Sequence, residues 1–318
     1  MEGRFLKFGF LWKALWIFSG LFALISCSAP DSGSFYYGTM GLGERKLVMT
    51  TASGQTYAIT RYSESGSFEG LIANTSPASL ITRGVAPFDL FHVLVATDGQ
   101  DGLSKVSLID GSMTSFVGSS LFSGNIYQIV KDDLRSRYYV IESNGIESFD
   151  FNGNRVGNPY IGTTVGSCVL SGPRSLTMTS SGDLAVASYT NNDISVYDVS
   201  GDTPTCKNSY TGYGNDRPTA IVGHSDGYLY IGFTTNDRID RLPEDGSGTP
   251  ETIYTDTAYV NNPTAMLEMP DGTLLIASDG VDAVVQMDTS GNLINGGIFM
   301  KDPFTAAVTQ MTFVEGVQ

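Results

Sequence analysis

Few residues in this chain are of the kinds that do chemistry. There are two histidines, His92 and His224, and three cysteines, Cys27, Cys168 and Cys206, in 318 residues. A serine–histidine–carboxylate relay needs a histidine beside a serine and a third group to orient it, and nothing in the spacing brings these together. Two downstream thiols do not make a zinc pattern. Cys168 and Cys206 are a candidate disulfide, but the repeat register given below puts them near opposite faces of the fold, while bridged Cα atoms lie only about 4.4–6.8 Å apart. The bond therefore stays open. Asp98-Gly99-Gln100-Asp101-Gly102 lacks the Asp-x-Asp-x-Asp-Gly spacing of a calcium loop. No catalytic residue, metal or cofactor is expected.

The ends of the chain set its context. Arg4, Lys7 and Lys13 precede an uncharged run, Ala14 to Ser26, too short to span a bilayer. The run ends Leu24-Ile25-Ser26-Cys27, which resembles the lipobox of bacterial lipoproteins. That resemblance implies a signal peptide over 1–26, lipidation of Cys27 and a tether over 27–43. Ser28, rather than Asp, follows the cysteine, which by the same resemblance implies export to the outer membrane. The competing reading is an uncleaved anchor starting near Phe8, which must bury Lys13 or let it snorkel. The net charge is −15, and removing 1–26 makes it more negative, so nucleic acid is an unsuitable partner. Both tryptophans, Trp12 and Trp16, fall in the signal, so the Trp-Asp mark of WD40 blades is absent from the rest.

Residues 44–318 are organised by a repeat of 45 residues. Pro173-Arg174-Ser175-Leu176, Pro218-Thr219-Ala220-Ile221 and Pro263-Thr264-Ala265-Met266 align without gaps. So do Ser181-Gly182-Asp183-Leu184, Asp226-Gly227-Tyr228-Leu229 and Asp271-Gly272-Thr273-Leu274. Each copy reads as four short strands, with Ser/Asp-Gly pairs at tight turns and alternating apolar residues such as Leu184/Val186. Looser copies run Arg137–Gly153, Phe91–Gly111 and Leu47–Gly66. Thr309-Gln310-Met311 repeats Thr264-Ala265-Met266 with no blade after it, while the earliest copy begins at a second strand. Joining the two closes a ring. The expected fold is all-β, a six-bladed propeller of four-stranded antiparallel blades closed by a C-terminal strand on the N-terminal blade.

The pattern Pro-x-x-Leu, Asp-Gly-x-Leu-x-Ile-Ala, Asp-x-Ile, Asp-x-Ser-Gly resembles NHL-type propellers and those of the senescence marker protein and gluconolactonase family. The likeness is close over 165–318 and weak over 44–160. The family's metal ligands are Asn and Asp just after the proline that opens a first strand. Here those positions are Arg174, Thr219 and Thr264, which suit no dication, so the metal site and the lactonase activity do not carry over.

A propeller places the inter-blade loops and the second-to-third-strand loops on one face, around the channel mouth. The candidate ligand-binding residues there are Arg174, Thr219, Thr264 and Gln310 at first-strand starts, Asn192, Asp193, Asn236 and Asp237 in second-to-third loops, and Tyr213, Asn215, Tyr259 and Asn262 between blades. Tyrosine with Asn and Asp suits stacking and hydrogen bonding to hydroxyl-rich or peptide ligands. The plainer reading is that each Asn or Asp serves its own turn and Arg174 pairs with a nearby Asp. The expected role is a monomeric, membrane-tethered binding or scaffold module for an envelope protein, peptide or glycan. A propeller enzyme, lactonase-like or lyase-like, and a purely structural envelope protein are the alternatives.

Overall fold

A computed structural model describes residues 43–316 except 54–55, 75–79, 100–101, 144 and 306. The signal segment, Cys27 and the tether up to residue 42 lie outside the described residues, as do Gln100 and Asp101 of the stretch weighed for calcium.

Six antiparallel sheets form the blades. Blade 1 combines Val308–Gly316 with Gly43–Ser53, Thr56–Ser63 and Phe68–Asn74, in that order from the channel outward. Met49 sits opposite Met311 and Thr50 opposite Gln310, so the two ends of the repeat share one sheet and close the ring. Blade 2 is Leu80–Asp89, His92–Gly99, Gly102–Ser107 and Met113–Val117. Blades 4, 5 and 6 begin at Pro173, Pro218 and Pro263 and follow the same four-strand meander. Besides the strands, the described residues include two single-turn 3-10 helices, Ser119–Leu121 and Asp279–Val281.

Blade 3 departs from the pattern. Its three strands, Ile126–Asp132, Arg137–Glu142 and Gly145–Asp150, are followed by single bridges from Phe149 to Arg155 and from Ile146 to Ile161 rather than by a full outer strand. A small hairpin, Thr164–Val165 with Cys168–Val169, then lies beside the outer strand of blade 4, Thr205–Tyr210. There Cys168 and Cys206 are bonded, with Cα atoms 5.6 Å apart. The repeat register fails at this point because residues 151–170 loop back instead of crossing the blade, which brings Cys168 to the rim where Cys206 stands.

The core is divided among six apolar layers, one between each pair of neighbouring blades. The layer joining blade 6 to blade 1 packs Ala265, Leu275 and Ala277 against Leu47, Met49 and Met311. Second strands therefore bury both faces. Leu184 and Val186 enter the layer toward blade 3, while Ala185 and Ala187 enter the layer toward blade 5. The alternation visible in sequence is large against small, not inside against outside, because a blade has no solvent face at its middle. Gly182, Gly227 and Gly272 occupy the first hairpin turns at φ 82°, 86° and 78°, a region that L side chains rarely enter.

Candidate functional site

Every blade carries a β-bulge near the start of its innermost strand. In blade 4 Pro173 pairs with Ser188 and Ser175 with Ala187, leaving Arg174 unpaired between them. The same slip leaves Thr219 and Thr264 in blades 5 and 6, Thr309 in blade 1, Arg83 in blade 2 and a two-residue irregularity around Tyr127 in blade 3. A bulge re-aims a side chain and ends pairing. Here it turns one residue per blade toward the channel mouth. Those six residues, with Gln128, Asp279, Ala307 and Val308, line a cavity of about 190 Å³.

The ring is chemically split. In three consecutive blades the bulged residue is threonine. The Thr219 and Thr264 hydroxyls donate to the carbonyls that open the next blade, Pro263 and Val308, each at 2.6 Å, whereas the Thr309 hydroxyl donates within its own blade, to the Thr50 carbonyl at 3.1 Å. In the other three blades the series is Arg83, Tyr127, Arg174. The Arg174 guanidinium carbon stands 4.2 Å from the centre of the Tyr127 ring and 5.3 Å from that of Tyr189. Arg83 lies 5.2 Å from the Tyr127 ring, and Arg217 lies 4.9 Å from the Tyr189 ring and donates to its hydroxyl at 2.8 Å. Cation–π contacts thus run across the mouth from blade 2 to the loop opening blade 5. Among the described residues no carboxylate lies within ion-pairing distance of Arg174 or Arg217.

Asp279 belongs to blade 6, three positions round the ring from Tyr127. Its carboxylate accepts the Ala307 N–H and the Asn262 side-chain amide, both at 2.9 Å, and has no cationic partner among the described residues. Below the mouth the channel is crossed by two glutamines. Gln128 accepts from the Ser175 hydroxyl at 2.9 Å and the Leu176 N–H at 3.2 Å, and donates to the Thr309 carbonyl at 3.3 Å. Gln310 accepts from Val85 and Ile129.

Of the residues singled out in sequence, Arg174, Thr219 and Thr264 come together at the mouth. Gln310 does not line the cavity; its neighbour Thr309 does, because the bulge puts Gln310 one step deeper. Asn192 and Asp237 hold the left-handed position of their loops, at φ 57° and 51°, as turn residues. Asn236 and Arg238 both bond Asp216, and Asn262 donates its N–H to Asp237 at 2.7 Å, so these side chains tie loop to loop. Asn215 is exposed, its carbonyl accepting from Thr235. Tyr213 is 5% exposed and packs between Tyr210 and Phe233, with burial raising its hydroxyl far above the usual range. Tyr259 covers Gly297 of the outer strand of blade 6. Neither tyrosine reaches the cavity. Asp193 is buried, and burial pushes its carboxyl up to about 6.

Both histidines lie at the first-to-second-strand turns, away from the mouth. His92 bonds Asp89 at 2.8 Å, and His224 is buried against Tyr230 with its ring nitrogen 3.0 Å from the Gly272 carbonyl. Among the described residues no group of three or more His, Cys, Asp or Glu is placed to hold a metal ion. Arg83, Tyr127 and Gln128 were missed in sequence, and Asp279 was not singled out within its second-to-third-strand loop. Just before the bulge, blades 2 and 3 carry Thr82 and Ile126 rather than proline, which hid their register. Arg83 nevertheless precedes Val95 by the same interval as Arg174 precedes Val186, and that spacing was the usable signal.

No family model matches the chain, and no curated protein matches it. Solved structures do resemble it. A chain of a nidogen/laminin complex superposes with a TM-score of 0.65 at 14% identity, covering 86% of this chain and 98% of that one. A streptogramin B lyase gives 0.56 at 16% identity, over 86% and 81%. A catalytically inactive virginiamycin B lyase variant from Staphylococcus aureus, with quinupristin, gives 0.55 at 17% identity, over 86% and 82%. At such identities the likeness is one of fold, and the chain is a six-bladed β-propeller.

Proposed function

We propose that this protein is a binding module, exported and lipid-anchored at Cys27 in the cell envelope, outer membrane included, whose propeller mouth receives part of an envelope protein, peptide or glycan. One observation carries the reading. A side chain from each of six blades converges on one cavity, and among them Arg174 is a half-buried cation with tyrosine rings on its flanks and, among the described residues, no carboxylate beside it. A structural arginine is ordinarily neutralised, as Arg238 is by Asp216 and Asp240. An arginine held open by aromatic packing is suited to a ligand. Nidogen in complex with laminin shows that this fold hosts binding.

A lyase-like enzyme is the second reading, favoured by the two lyase neighbours. It needs a proton-transfer group at the mouth. With both histidines on the other face, Asp279 is the carboxylate on offer among the described lining residues.

The test is capture from envelope extracts by the full-length lipidated protein in detergent, with Arg174→Ala as the matched control. Capture by the wild type that falls at least tenfold in the variant is expected; equal capture by both rules the mouth out. Radiolabelled palmitate should enter the wild type and not Cys27→Ser; label in both would overturn the anchor.

A further inference from the structure

We propose that the mouth recognises a small zwitterion, such as a free amino acid or a very short peptide, with its carboxylate on Arg174 and its ammonium toward Asp279. This rests on the binding reading above and names its ligand class.

The cavity has two poles. One wall is Arg83, Tyr127 and Arg174, from blades 2, 3 and 4; Asp279 faces it from blade 6. Arg174 and Asp279 are not within ion-pairing distance of each other, and neither has another charged partner among the described residues. Each is therefore a charge held in a lined cavity without its counter-ion. The Arg174 guanidinium lies over the Tyr127 and Tyr189 rings and makes no side-chain hydrogen bond among the described residues, so its N–H groups remain to donate. That planar fork matches a carboxylate in bidentate fashion. Arg217, itself without a carboxylate partner among the described residues, stands over the same Tyr189 ring and adds to the local positive potential. This matters in a chain of net charge −15, where an anion elsewhere is repelled.

The wall between the poles is neutral. Thr219, Thr264 and Thr309 spend their hydroxyl hydrogens on backbone carbonyls, so they offer methyl groups and acceptor lone pairs. The volume of about 190 Å³ is below the roughly 300–1,000 Å³ of sites for drug-sized ligands, which limits the occupant to a few residues' worth of atoms. Sugar stacking is disfavoured, because the rings of Tyr127 and Tyr189 already carry guanidinium groups.

The experiment is calorimetric titration of the full-length protein in detergent with glycine, glycylglycine, N-acetylglycine, glycinamide and inorganic phosphate. Glycine or glycylglycine should bind at least tenfold more tightly than N-acetylglycine, which lacks the ammonium, and than glycinamide, which lacks the carboxylate. Arg174→Lys and Asp279→Asn should each weaken the zwitterion tenfold or more, while unliganded melting temperatures stay within a few degrees. Phosphate or N-acetylglycine binding as tightly as glycylglycine would overturn the proposal in favour of a plain anion site. No binding by any probe would overturn it too. If Arg174-dependent envelope capture persists in that case, the binding reading stands and the ligand class alone falls; if capture is also lost, both fall.

Discussion

Gln310 and Ile129, in blades 1 and 3, exchange a pair of hydrogen bonds across the channel: the Gln310 carbonyl oxygen accepts the Ile129 N–H at 3.1 Å, and its amide donates to the Ile129 carbonyl at 2.6 Å. The same oxygen accepts the Val85 N–H of blade 2 at 3.0 Å. Innermost strands have no sheet neighbour on the channel side, so their inward N–H and C=O groups need partners. Gln310 supplies three of them, in blades 2 and 3, whose strands belong to sheets other than its own. Gln310→Ala is expected to cost about 2–4 kcal/mol, since each orphaned buried group costs of order 1–3 kcal/mol and water recovers part. Urea unfolding should show a lower midpoint with an unchanged slope. A loss under about 0.5 kcal/mol would mean that water replaces the side chain fully.

Much of this fold was legible in the sequence, for a physical reason. A propeller repeats one local problem, four strands joined by tight turns, so the same residues recur where the backbone demands them. Gly182, Gly227 and Gly272 mark the positive-φ corner, and Pro173, Pro218 and Pro263 open the inner strands. Ring closure was legible because Thr309-Gln310-Met311 has no other place to pair. The site was less so. Whether a tyrosine in a Tyr-Gly-Asn-Asp loop points out or in depends on Phe233, twenty residues on, which draws Tyr213 inward. In the Arg83–Tyr127–Arg174 series Tyr127 interrupts the arginine that blades 2 and 4 share, so the interval from Arg83 to Val95 was the one periodic hint of it.

Tyr213 tests that inward placement directly. It is packed in the layer between blades 4 and 5, and its hydroxyl has no partner among the described residues. Tyr213→Ala should destabilise by about 3–5 kcal/mol, as for loss of a large buried aromatic ring. Tyr213→Phe should be neutral or stabilising, by up to about 1 kcal/mol, because it removes a buried polar atom that bonds nothing. Thermal unfolding of the two variants separates this from a surface role, in which both changes would be silent.

The Cys168–Cys206 bond closes a loop with a sequence separation of 38 and fastens the irregular outer part of blade 3 to blade 4. Reduction, or Cys206→Ser, is expected to cost about 2–4 kcal/mol. Urea midpoints with and without a reductant should differ in the wild type and coincide in the variant. Coincident wild-type midpoints would show that the hairpin at Cys168 is held by packing alone.

Asp193 sets a pH dependence of unusual sign for a carboxylate. It is 2% exposed, one carboxylate oxygen lacks a partner among the described residues, and the other takes a bond from the Asn191 amide. Burial is the leading cause that pushes its carboxyl up to about 6, offset in part by the Ser188 hydroxyl. The folded state therefore holds this proton more tightly than the unfolded chain, where an aspartate titrates near ~3.9. Its contribution is fully present below that value and is lost as pH rises through about 6. Asp150, Asp198 and Asp288, held below the ordinary range, act in the opposite direction, but their stabilisation fades only below the window in which Asp193 titrates. Asp193→Asn removes the charge and keeps the shape. At pH 7 the variant should exceed the wild type by about 1–3 kcal/mol, since each tenfold change in proton affinity between the folded and unfolded chain is worth ~1.4 kcal/mol. That advantage should shrink steadily as the pH is lowered to 4. Unfolding free energies of both proteins at half-unit steps across this range decide the matter, because an advantage that stays constant with pH would show that Asp193 is charged, or neutral, throughout.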